Sequence, residues 1–320
     1  MVNKSNAMPR LILVPQYPTK LRYQEWWFEY LPHEFLRHFD SVITLGGFIE
    51  VSNLTTEDAT MFSPVETALE FEALQIQQYS SLEITEKDIL LLCDLSFPGL
   101  FPQVLFHKRP KKCFAICHAT SLNAYDYYMK DRQIKYPIEK NTAQLFDKVF
   151  VGSQYHANKL GWKNISIHPL PYSPYTPSTQ LSLKDKAIVS VARKTTQKRT
   201  PSIEKRIERI FNTKIVESTG INNWGQYYDF LGSSTALLIT GKEETFGYQV
   251  MDAIVNNCVP VAPRQFSYPE LLPDEYLYST FSELVNILIK VLDGWLGVPK
   301  LKVEEQSKQF YHNLATEMLK

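Results

Sequence analysis

The chain has 320 residues, 44% of them hydrophobic and 13% aromatic, and its 34 basic and 34 acidic residues cancel to a formal charge of zero. This length suits two domains, the composition is that of a globular protein, and neutrality excludes a global electrostatic pull toward nucleic acid. The four cysteines (Cys93, Cys113, Cys117 and Cys258) sit in apolar surroundings, as free thiols of a reducing compartment do, and no apolar run approaches a membrane span, so a cytoplasmic protein is expected.

The first eight residues read as a polar lead. Leu11 to Val14 then reads as a strand, and Arg22 to Phe39 as a helix broken near Pro32. A strand over Ser41 to Leu45 and a helix over Val65 to Tyr79 follow. Ile89 to Cys93 is a near-continuous apolar strand ending in Asp94. Cys113 to Cys117 is another, followed directly by His118. Thr142 to Asp147 reads as a helix feeding a strand over Val149 to Gly152, which ends in Ser153, a cap for a following helix. Ile165 to His168 closes the first half. Strands apolar on both faces, alternating with helices, predict a parallel sheet covered on both sides. Cys113, Cys117 and His118 are metal-ligand types, but the cysteines read as buried strand and no fourth ligand is near, so no metal site is expected. The Asn-X-Ser/Thr matches at Asn53 and Asn164 carry no meaning in a cytoplasmic protein.

Leu170 to Leu183, with Pro171, Pro174 and Pro177, reads as a linker. A second series follows: strand Ile188 to Val191, helix Pro201 to Phe211, strand Lys214 to Glu217, helix Asn223 to Leu231 and strand Ala236 to Thr240. Then come helix Tyr248 to Asn256, strand Val259 to Ala262 and helices Ser279 to Leu292 and Val303 to Leu319. The expected domains are 1–175, 176–300 and a C-terminal helix, 301–320, returning to the first. Both halves are Rossmann-like, with parallel sheets facing a central cleft.

The segment from Gly241 to Leu272 is the most informative. Two carboxylates, Glu244 and Asp252, stand eight residues apart around Phe246-Gly247, between a strand and a helix. Gly247 lets the loop approach a ligand without a Cβ, and the first helical N–H groups are free donors for a phosphate. Ionised carboxylates accept hydrogen bonds from sugar hydroxyls. Earlier, the strand Ile188 to Val191 runs into Arg193 and, five residues on, Lys198, in a polar stretch that on its own reads as a solvated basic loop.

These motifs resemble the signature of group 1 retaining glycosyltransferases of the two-domain GT-B type. Glu244, Phe246, Gly247 and Ala253 match its acidic segment, with Thr245 where glycine is usual and Asp252 in place of a second Glu. Cys258-Val259-Pro260-Val261 and Pro269-Glu270-Leu271-Leu272 resemble its closing turns. The resemblance implies a nucleotide diphosphate sugar, UDP- or GDP-linked, as donor, and no further cofactor. Arg193 and Lys198 would hold the diphosphate, Asp252 the ribose, and Glu244, Phe246 and Gly247 the phosphates and sugar. His118 would contact the transferred sugar, so that His118, Glu244, Arg193 and Lys198 form the catalytic set. Transfer would retain anomeric configuration through front-face attack without a protein nucleophile or a tightly bound metal.

The first half is expected to hold the acceptor. The family's glycine-rich loop is absent here. Pro15-Gln16-Tyr17 and Trp26-Trp27 stand in its place, offering aromatic faces to sugars or nucleobases, or simply burying against the sheet. Asp94 is placed to orient an acceptor hydroxyl or to cap a turn, and Tyr172 to wall the cleft. The acceptor is a glycan or small molecule, with a modified nucleobase as a second option. The basic run Lys108 to Lys112 and the stretch Lys198 to Arg209 are candidate phosphate contacts or solvated surface. A sugar-nucleotide epimerase and a non-catalytic nucleotide-sugar-binding protein are the alternatives.

Overall fold

A computed structural model describes residues 9–46, 63–95, 109–123, 132–175, 184, 186–191 and 198–320. The expectations resting on Asn53, Lys108, Arg193 and Lys194, and on most of the linker, lie outside these residues.

The first half runs β1 (Arg10–Val14), α1 (Tyr23–Phe35), β2 (Ser41–Thr44), α2 (Ser63–Ser81), β3 (Ile89–Leu92) and β4 (Lys112–Ile116). It continues through α3 (Arg132–Ala143), β5 (Lys148–Val151), α4 (Gln154–Leu160) and β6 (Ile165–Ile167). Its strands pair in parallel in the order β2-β1-β3-β4-β5-β6. Successive residues of β1 and β4 enter different cores. Leu11, Leu13, Phe114 and Ile116 join one cluster, whereas Ile12, Val14, Cys113 and Ala115 join another. That division is what a sheet covered on both faces requires, and it explains the unbroken apolar runs.

The second half runs β7 (Lys186–Ser190), α5 (Pro201–Phe211), β8 (Val216–Glu217), α6 (Trp224–Gly232), β9 (Ser234–Leu238), α7 (Tyr248–Val255) and β10 (Val259–Pro263). Then follow α8 (Tyr268–Leu271), β11 (Leu277–Tyr278), α9 (Phe281–Leu292), α10 (Glu304–Lys308) and α11 (Phe310–Leu319). The sheet order is β11-β10-β9-β7-β8, again parallel.

Three expectations are corrected. Helix α1 continues through Pro32 and ends at Phe35, with Trp26, Trp27, Leu31 and Phe35 all buried; tertiary packing outweighs the one amide hydrogen bond that proline removes. The helix expected over Thr142 to Asp147 instead occupies Arg132–Ala143, where Pro137 and a mostly polar sequence hide the pattern. The last expected helix is interrupted at Gln309.

Helix α11 packs on the first half. Glu317 accepts from the Ser166 hydroxyl at 2.9 Å and lies 2.8 Å from His168 Nε2. Tyr311 meets the Phe35 ring edge-on, so one buried cluster runs from β1 through α1 to α11 and the second sheet.

Candidate active site

In each sheet the strand order reverses once, and in open α/β sheets ligands bind outside the carboxyl ends of the strands at such a point. The reversal falls between β1 and β3 in the first sheet and between β7 and β9 in the second. Lys198 and the Glu244 segment both lie at the reversal of the second sheet.

Arg199 clamps the chain just before α5. Its guanidinium is buried, donating to Glu204 at 2.9 Å and to Glu217 at 2.6 Å. Thr200 completes the clamp, its N–H donating to the Thr240 hydroxyl and its own hydroxyl to the Thr240 carbonyl. By sequence alone Arg199 belongs to a solvated basic stretch; the structure makes it a buried pin between the start of α5 and the end of β8, with Thr200 bonded to Thr240 just after β9. The pin sets Lys198 beside the acidic segment, with Nζ 2.9 Å from Glu244 Oε2. Glu244 Oε1 also accepts from the Thr245 N–H at 3.1 Å, which fixes the carboxylate against its own loop.

Gly247 caps α7 with φ +109°, a conformation strained for any residue with a Cβ. A Cβ there would also lie 3.0 Å from Leu271 Cδ1. Phe246 is buried, and its ring leaves no room for a side chain at Gly152. The Phe246 ring therefore packs between the two halves, and its carbonyl accepts from the buried Ser267 hydroxyl at 2.7 Å. Asp252 stands on the second turn of α7, where the Tyr227 hydroxyl donates to Oδ2 at 3.2 Å. Burial pushes its pKa up to about 7, with the Tyr227 bond working in the opposite direction.

In the first half, His118 follows β4 at the carboxyl edge. It donates to the Cys93 carbonyl, while Nε2 is sealed from solvent without a partner. Burial, then neighbouring His156, push its pKa down to about 3. The imidazole is therefore neutral near pH 7, with an acceptor lone pair on Nε2. The reversal between β1 and β3 carries a small pocket lined by Pro15, Gln16, Tyr17, Glu72 and Asp94. Asp94 accepts there from the Gln16 amide at 2.5 Å, and Tyr17 meets Phe71 edge-on. Trp26 and Trp27 lie elsewhere, buried at the junction with the second half, at 1% and 3% exposure. They do not share the Tyr17–Asp94 pocket. The described part of the basic run falls at the amino end of β4, with Lys112 starting the strand, on the edge opposite the crevice.

The carboxyl edges of the two sheets are tied together by contacts that sequence reasoning does not foresee. Glu243, buried beside Glu244, lies 2.8 Å from Lys159 Nζ and accepts from the Tyr155 hydroxyl at 3.1 Å and the Asn123 amide at 3.3 Å. Glu270 accepts from the backbone N–H groups of Gln154 at 2.6 Å and Tyr155 at 2.7 Å, capping α4 from the opposite half. Ser153, whose hydroxyl accepts from His156 N–H as expected of a cap, donates to the Thr245 carbonyl. The signals are present as Glu243-Glu244 and Pro269-Glu270, but the partners are remote in sequence. Among the described residues, no group of three or more His, Cys, Asp or Glu side chains is placed to hold a metal, and the four cysteines are buried free thiols.

Two parallel-stranded halves with facing carboxyl edges, with Lys198 and the Glu244 segment at a strand reversal, form the two-domain GT-B fold. No protein-family model matches the sequence. Sucrose-phosphate synthase from Thermosynechococcus elongatus superimposes with a TM-score of 0.62 over 97% of each chain, at 11% identity. Anabaena HepE, in complex with UDP and glucose, gives 0.58 over 97% of this chain and 95% of that one, at 12% identity. In sequence, the chain is 32% identical over 88 residues to tRNA-queuosine alpha-mannosyltransferase of Drosophila melanogaster, a stretch that is 28% of this chain and 22% of that protein.

Proposed function

We propose that this chain is a retaining glycosyltransferase that moves a hexose from a nucleotide diphosphate sugar to an acceptor hydroxyl. The observation that carries this reading is the Lys198–Glu244 pair, 2.9 Å apart at the β7/β9 reversal beside the Gly247 end of α7. It joins two motifs that stand 46 residues apart in the sequence. A diphosphate arriving at this helix end would draw Lys198, with Arg193 as its second cation, and free Glu244 for the sugar hydroxyls. Asp252 would hold the ribose and His118 Nε2 would accept from the sugar. The bond between the anomeric carbon and the leaving phosphate breaks as the acceptor oxygen attacks from the same face. The acceptor proton passes to the departing phosphate oxygen. Positioning and fixed charge supply the acceleration, and no protein nucleophile or tightly bound metal takes part.

For the acceptor, the likeness to a tRNA-queuosine mannosyltransferase favours a hydroxyl on a modified nucleobase, with mannose as the hexose, over a free glycan. A thermal-shift series across UDP- and GDP-sugars identifies the donor, because a ligand that binds only the native state raises its melting temperature. Transfer of labelled sugar is then measured on tRNA carrying or lacking queuosine and on free glycans. Labelling of glycans alone removes the nucleobase reading. Appearance of a new sugar isomer without any acceptor identifies an epimerase and removes the transferase reading.

A further inference from the structure

Three polar atoms at the junction of the halves are sealed from solvent without a hydrogen-bond partner: Trp27 Nε1, the Tyr248 hydroxyl and His118 Nε2. They come from α1, from the first residue of α7 and from the end of β4. Their rings form one box. Tyr23 lies 4.3 Å from His118 and stacks on Tyr248 at 5.8 Å, Trp27 lies 4.8 Å from His118, and Trp26 meets Tyr248 edge-on at 5.8 Å. The Trp27 N–H approaches the Tyr248 hydroxyl without completing a hydrogen bond. Buried polar groups are nearly always paired, so three orphans in one box mark a place for a polar guest.

The chemistry of the three atoms specifies the guest. Indole Nε1 is a donor only, and His118 Nε2 is an acceptor because the other ring nitrogen carries the proton given to Cys93. The Tyr248 hydroxyl serves either way. A hydroxyl donates once and accepts twice, so it can donate to His118 and accept from Trp27 and Tyr248 together. The surrounding aromatic faces suit the C–H surface of a sugar. We propose that Trp27 and Tyr248 are specificity-determining residues that, with His118, enclose one hydroxyl of the transferred sugar and select hexoses that carry it. The hydroxyl enters while the halves are apart and is enclosed on closure, since Trp27 belongs to one half and Tyr248 to the other. This inference rests on the glycosyltransferase reading but assigns Trp27 to the donor sugar rather than to the acceptor.

The test uses the full chain with Trp27→Phe and Tyr248→Phe, each of which keeps a ring and removes the polar atom. Affinities are measured for UDP-glucose, GDP-mannose, their monodeoxy sugar analogues, and UDP and GDP alone. In the wild type, one monodeoxy analogue should bind about tenfold more weakly than its parent, the value of one hydrogen bond. Either variant should shrink that ratio toward unity while UDP and GDP affinities stay as they were. The proposal is overturned if the wild type does not distinguish any monodeoxy analogue, or if both variants keep the full discrimination. Lower melting temperatures in the variants with the discrimination retained overturn it as well, because they show a purely structural polar pair. Absence of binding of every nucleotide sugar to the wild type is a different failure: it removes the transferase reading, and this inference with it.

Discussion

Asp252 offers the sharpest quantitative test of the donor site. Its carboxyl has a pKa of about 7 in the free protein because burial disfavours the charge. If ribose hydroxyls donate to it, the bound form needs the ionised carboxylate. The ionised fraction rises from about one in eleven at pH 6 to about ten in eleven at pH 8 for a group of that pKa, so nucleotide-sugar affinity should strengthen about tenfold across this window. Free-protein stability should move the other way. An acid whose pKa is raised on folding gives its full stabilising contribution below its unfolded value, near 4, and loses it as pH rises through 7. Melting temperature without ligand should therefore fall from pH 6 to pH 8 relative to Asp252→Asn, while the shift produced by ligand grows. Titration calorimetry at several pH values with an intact nucleotide sugar checks the affinity, because its diphosphate diester does not itself titrate in this window. Asp252→Asn should flatten the response. A wild-type affinity that is flat, or that strengthens on acidification, refutes the assignment of Asp252 to the ribose.

Three further outcomes concern the Gly247 turn, the Glu243 contacts and Lys198. Gly247→Ala should cost about 2 kcal/mol in urea unfolding, from a strained φ and the crowding against Leu271, and should weaken nucleotide-sugar binding; an unchanged midpoint contradicts the strain argument. Glu243→Ala strands the largely buried Lys159 and the Tyr155 and Asn123 donors, so a loss of about 3 kcal/mol is expected. A double-mutant cycle with Lys159→Ala should show strong coupling, and additive losses would show the ion pair to be idle. Lys198→Ala removes a charged partner of the proposed diphosphate and should weaken UDP or GDP binding by about tenfold or more; unaltered affinity would dismiss Lys198 from the donor site.

The donor half is more legible in the sequence than the acceptor half because its signals are local. A strand, a glycine turn and a helix carry Glu244, Gly247 and Asp252 within one short stretch, and the turn geometry at Gly247 follows from a residue that alone tolerates it. Lys198 is legible as one cation of a spaced pair, but its contact with Glu244 depends on Arg199 being pinned to Glu204 and Glu217 and on Thr200 being bonded to Thr240. Nothing in the basic stretch around Arg199 distinguishes that buried pin from a solvated side chain. Helix α3 escapes for a related reason: Pro137 and abundant charge conceal an element that packing supports.

The sequence by itself determined the alternation of strands and helices, the parallel sheets with two buried faces, and the local shape of the Glu244–Asp252 segment. These depend on short-range periodicity and backbone preference. Only the tertiary structure decided which side chains meet across the junction: Glu243 with Lys159, Glu270 on the amino end of α4, and Trp27 and Tyr248 around His118. Lys159 and Glu243 are 84 residues apart in the chain, and Gln154 and Glu270 are 116 apart. No local pattern encodes such pairings, because they exist only once two separately built sheets bring their carboxyl edges together.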